Sequence, residues 1–172
     1  MKRAAFLLGL FALLTVQASA QQSPANYETA LGARTNPWII GFTIKHFIKG
    51  PHAIEGLAFT NYDKRANATF TGLYEYHWNV FGQREWVMYA GGGAHVGFYD
   101  KRDFDHDRWA DDGFDDGTYF TAGLDGIIGV EYTFKNIPLN LSADLKPYVN
   151  FTGGHNFFGE QIGGFSVRYT FK

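Results

Sequence analysis

Residues 162–172 read IGGFSVRYTFK. Gly163, Phe165, Val167, Tyr169 and Phe171 share one phase of a two-residue period, and Gly164, Ser166, Arg168 and Thr170 share the other. Successive side chains of a β-strand point to opposite faces, so this spacing predicts a strand with one apolar, aromatic face and one small, polar face. A helix would scatter both sets around its axis.

The same pattern repeats upstream. Leu139–Phe151 puts Leu139, Leu141, Ala143 and Leu145 on one face and Asn140, Ser142, Asp144 and Lys146 on the other. Tyr119–Phe134 sets Phe120, Ala122, Leu124, Ile128, Val130, Tyr132 and Phe134 against Thr121, Asp125, Glu131 and Thr133. These runs exceed the usual soluble strand of about 5–6 residues and match the roughly 10-residue alternating strands of a membrane barrel. Further strands are predicted over Val87–Tyr99, Thr69–Asn79, Ala53–Tyr62, Trp38–Ile48 and Ala25–Arg34, which makes eight. The connectors fall into two alternating kinds. Lys49–Pro51, Val80–Arg84 and Lys135–Pro138 are short turns, whereas Lys64–Ala68, Asp100–Gly117 and Gly153–Phe158 include the longest, at the end away from both termini. The predicted fold is all-β: a closed eight-stranded antiparallel transmembrane barrel of up-and-down topology, with short periplasmic turns and longer extracellular loops.

The first 20 residues read as a secretory signal peptide. Lys2 and Arg3 give a positive start, Ala4–Val16 an apolar run too short to cross a bilayer, and Ala18-Ser19-Ala20 a small-residue cleavage site. Residues 21–172 then form the barrel domain. Its formal net charge becomes -4, because the leader removes two cations and no acid from a chain of net charge -2; this acidity argues against nucleic acid as a partner. With no cysteine, neither a disulfide framework nor a thiolate zinc site is available. The 18 % aromatic content suits strands, and Tyr27, Tyr74, Tyr76, Trp78, Tyr132, Phe134, Tyr169 and Phe171 are read as girdle positions at strand ends.

The segments YAGGGAHVGFYD (89–100), GLDGIIGVEYTF (123–134), IPLNLSADLKP (137–147) and SVRYTF (166–171) resemble the small eight-stranded outer-membrane barrels of the OmpA/OmpX/OmpW-like superfamily, most closely the short barrels of Bacteroidota. The similarity runs over essentially the whole of 21–172. It implies a monomer in the outer membrane of a Gram-negative cell, in contact with outer-membrane lipids and lipopolysaccharide and delivered by periplasmic chaperones and the barrel-assembly machinery. The assembly signal of such proteins is a last strand of alternating apolar residues ending in an aromatic; here Phe171 is penultimate and Lys172 follows.

The polar phase carries the candidate functional residues. Glu28, Arg34, Lys45, Glu55, Glu75, His77, His95, Asp125, Glu131, Asp144, Lys146 and Arg168 are predicted to face a lumen only wide enough for side chains to fill. A lone buried ion costs several kcal/mol, so a mixed-sign ion-pair network is expected there, with Lys45, Glu75, Asp125, Glu131, Asp144, Lys146 and Arg168 as its members. Arg168, Lys146, Asp144 and Glu131 lie on neighbouring late strands and are expected to form one shared cluster. With the lumen plugged by that network, the expected role is structural, in surface interaction or in envelope stress; the alternative is a narrow channel, or a carrier for small apolar molecules across the outer membrane.

Other chemistry matches less well. Asp103, Asp105 and Asp107 alternate as calcium ligands do, and Asp111 and Asp112 add carboxylates for a weak divalent-cation loop. The EF-hand positions for glycine and the bidentate glutamate hold Arg108 and Phe114 instead. A lipid A deacylase needs His-x-Ser, but Phe157 follows His155 where serine is required. GGGAHVG (91–97) fits no phosphate-loop pattern. No catalytic residue and no cofactor is predicted. A secreted soluble barrel, with the apolar phase turned inward around a ligand, is the remaining alternative; the scarcity of Lys and Glu in the polar phase argues against it.

Overall fold

The computed structural model describes residues 23–62, 67–100, 118–151 and 161–172. Nine strand segments follow one another: β1 (Thr29–Thr35), β2 (Ile39–Lys49), β3 (His52–Asn61), β4 (Ala68–Asn79), β5 (Trp86–Asp100), β6 (Thr118–Thr133), β7 (Leu139–Leu145), β8 (Tyr148–Asn150) and β9 (Gly163–Phe171). Each pairs antiparallel with its chain neighbour from β1 to β6, β6 pairs with both β7 and β8, β7 pairs with β9, and β9 pairs with β1. The sheet closes on itself. Because β7 and β8 are successive parts of one stave, the architecture is a closed eight-stranded up-and-down barrel. Both termini and the turns at 49–51, 80–85 and 134–138 lie at one end, called the terminus side below; the connectors through 63–66, 101–117 and 152–160 leave the other.

Two boundaries differ from the sequence reading. The predicted seventh strand is interrupted at Lys146-Pro147, since proline has no N–H to give the ladder. The wall stays continuous because the Gly126 N–H donates to the Pro147 carbonyl at 2.8 Å and the Lys146 N–H to Ile162. The first strand begins at Thr29 rather than Ala25. Asn26 has φ 63°, in the left-handed region that Asn tolerates, and the Ser23 hydroxyl donates to the Tyr27 carbonyl at 2.5 Å. This bend folds the segment under the barrel mouth, where Ala25 and Tyr27 are buried with Phe47, Ala53 and Val87.

The strands alternate in burial as their sequences alternate in polarity, with the polar phase inward. Ser166, Arg168 and Thr170 of β9 are buried, while Phe165, Val167 and Tyr169 between and beside them are exposed. Around the wall Phe42 is 73 % and Leu145 59 % exposed, whereas Arg34, Lys45, Lys146 and Arg168 are each 0 % exposed. A soluble carrier with an apolar lumen requires the opposite phase. The interior is not wholly polar: Ile39, Leu57, Phe59, Leu73, Tyr89 and Ile127 form an apolar cluster inside it.

Candidate functional site

Among the described residues the chemistry is concentrated inside the barrel, in three groups of ion pairs. The largest surrounds Lys45 on β2. Its ammonium lies 2.8 Å from Glu75 on β4, 3.3 Å from Glu55 on β3 and 3.5 Å from Glu131 on β6, and 3.8 Å from the centre of the Tyr89 ring. One cation thus links four walls. Glu55 also pairs with Arg168 from β9 and accepts the Thr43 hydroxyl at 2.5 Å. The rest of the Arg168 guanidinium is held by Thr43 at 3.0 Å, Asn140 at 3.2 Å and Ser142 at 2.7 Å. His77 lies 3.0 Å from Glu75 and stacks on Tyr89 with centroids 5.1 Å apart.

The second group is a two-pronged pair between Arg34 on β1 and Asp144 on β7. Such a fork on a carboxylate is among the stronger hydrogen-bonded ion pairs. The Tyr89 hydroxyl also donates to Asp144 at 3.3 Å. Two inward glycines make room: a Cβ on Gly164 would lie 2.7 Å from the Arg34 guanidinium, and one on Gly129 would lie 2.4 Å from the Tyr89 ring. In the third group Lys146 pairs with Asp125; Asp125 is 2.7 Å from His95, whose other ring nitrogen is 2.8 Å from Asn150.

All seven residues predicted for the network (Lys45, Glu75, Asp125, Glu131, Asp144, Lys146 and Arg168) are buried inside, but their partners differ from those expected. Arg168, Lys146, Asp144 and Glu131 do not pair with one another. Each takes its partner elsewhere: Glu55, Asp125, Arg34 and Lys45. Three of these partners lie on non-adjacent strands, because in a narrow closed lumen a long side chain can reach across it, whereas Asp125 sits on the stave next to Lys146. Glu28 is exposed rather than inward, because it lies in the bend before β1.

Tyr27, read as a girdle residue, is instead buried, with its hydroxyl 3.2 Å from both Glu131 oxygens. Burial lifts its phenol well above the usual range and the Glu131 charge pushes the same way, so Tyr27 remains a donor. Tyr74, Tyr76, Tyr169 and Phe171 do point outward. The Asp103, Asp105, Asp107, Asp111 and Asp112 loop lies outside the described residues. Among the described residues no three His, Asp or Glu side chains are grouped to hold a metal. A groove of about 540 Å³ opens on the outer wall over Gly56 and Gly72 between Phe42, Ile44 and Phe70.

The chain matches no protein-family model, and no curated protein or solved structure is similar to it at a significant level. The class the geometry defines is therefore the closed eight-stranded barrel with a charged interior and an apolar exterior.

Proposed function

We propose that this chain is an integral outer-membrane barrel whose interior is sealed by its own side chains, and that it acts as a structural or surface-contact element of the cell envelope rather than as an enzyme or a conduit. The observation that carries this reading is the inverted phase: four fully buried cations and their carboxylates inside, and a wall of exposed Phe, Leu, Ile and Val outside. In water such a surface forgoes about 25 cal/mol for each Å² of apolar area left exposed; in hydrocarbon the same surface is matched. The three ion-pair groups and the apolar layer of Leu57, Phe59 and Ile127 support a filled lumen, and the Ala25–Tyr27 bend covers its terminus-side mouth. Surface contact would fall to the long connectors opposite, next to lipopolysaccharide. Delivery would use periplasmic chaperones and the assembly machinery that reads the β9 pattern.

Strand-rich circular dichroism in detergent, with gel migration that shifts on heating, is the expected result. Planar-bilayer recordings should show no steady conductance. A folded, water-soluble monomer without detergent would overturn the membrane assignment, and a large steady current would overturn the sealed lumen.

A further inference from the structure

The charges of residues 21–172 fall into three levels. The interior holds nearly balanced pairs. The connectors 63–67, 100–117 and 152–160, which leave the end away from the termini, contain ten carboxylates and five cations. The terminus-side rim reverses that sign, with Lys49, Arg84, Lys135 and Lys172 against Glu28 and Glu85. Glu85 is 2.6 Å from Lys135, while Lys49, Arg84 and Lys172 are exposed and carry no ion pair among the described residues.

Directly inside this basic rim lies an outward aromatic belt. His52 is 2.5 Å from the Tyr74 hydroxyl and packs edge-on against Tyr76, which stacks on Trp78. Trp86 packs on Tyr132, and Tyr169 on Phe171. Rings with one apolar and one polar side suit the level of lipid headgroups, and cations just beyond them attract anionic lipid with an energy that falls off within a Debye length.

We infer that the terminus-side rim is a docking surface for glycerophospholipids with net-negative headgroups, whose phosphates are held by Lys49, Arg84 and Lys172. The inference rests on the membrane reading above.

The test uses the full barrel carrying Trp38→Phe and Trp109→Phe, which leaves Trp78 and Trp86 at the rim as reporters. The protein is placed in vesicles containing brominated phosphatidylglycerol or brominated phosphatidylcholine at equal mole fraction and low salt. The anionic lipid should be enriched at the rim severalfold, of the order of fivefold, and should quench the tryptophans correspondingly more. The preference should vanish in Lys49→Gln/Arg84→Gln/Lys172→Gln. Equal quenching in the parent barrel, or a preference that survives the triple substitution, would each overturn the inference while leaving the membrane reading intact. A chain that inserts into neither vesicle overturns both.

Discussion

Asp144 and Leu145 are adjacent in the chain and occupy opposite environments: the first is buried and paired with Arg34, the second is 59 % exposed on the wall. Arg168 and Val167 repeat the contrast on β9, at 0 % and 50 % exposed. The inner face is specific, since each ion has named partners at set distances and its loss leaves an uncompensated charge. On the membrane reading proposed above the outer face is generic, since any apolar side chain of suitable size would serve equally well against hydrocarbon. Substitutions should therefore be punished by partner identity inside and by polarity alone outside.

The largest effect is expected from removing an interior partner. Arg168→Ala strips Glu55 of its guanidinium and should cost about 3–5 kcal/mol, read as a lower midpoint of urea unfolding in lipid vesicles. Arg168→Met with Glu55→Gln should recover part of that loss, because the double change leaves no lone ion. Additive costs would mean that the pair is not coupled. On the wall, Leu145→Arg should cost about 2–4 kcal/mol where it meets the bilayer midplane and lower the yield of folded barrel, while Leu145→Phe should be close to neutral. A cysteine at position 145 that reacts freely with a membrane-impermeant thiol reagent in the reconstituted protein would remove the distinction between the two faces.

Two smaller changes probe single contacts inside the barrel. Gly164→Ala brings a methyl group to 2.7 Å from the Arg34 guanidinium, a crowding expected to cost about 1–3 kcal/mol. A cost that persists when Arg34 is also shortened would point to the backbone rather than to that contact. Tyr27→Phe removes one donor to Glu131, which keeps Lys45, and should cost about 1.5 kcal/mol. An unchanged unfolding midpoint would show that the bend before β1 contributes no specific contact to the interior.

Much of this architecture is legible without coordinates. Alternation is a local property: once Ser166-Val167-Arg168-Tyr169 is read as a strand, the pleat sends Arg168 to one face and Val167 to the other. The number of strands, their order and the alternation of short turns with longer connectors also follow from runs and breaks along the chain. The inward placement of Lys45, Glu75 and Asp125 was accessible in the same way. Tyr27 was not, because its period matches a girdle residue; only the positive φ of Asn26 turns it under the mouth. The interior Leu57, Phe59 and Ile127 were equally hidden, since periodicity ranks a face by its average and passes over single apolar residues in a polar phase.

Which residues alternate, and hence which share a face, is written along the chain, because a pleated backbone leaves side chains no other choice. Which ion pairs with which depends instead on how the sheet closes. Closing the sheet brings β9 opposite β3, and β1 within reach of β7, so Arg168 meets Glu55 and Arg34 meets Asp144 across separations in the chain that no local pattern encodes. Inside so narrow a barrel an ion cannot turn to water, and it takes the nearest opposite charge that the curvature of the wall presents.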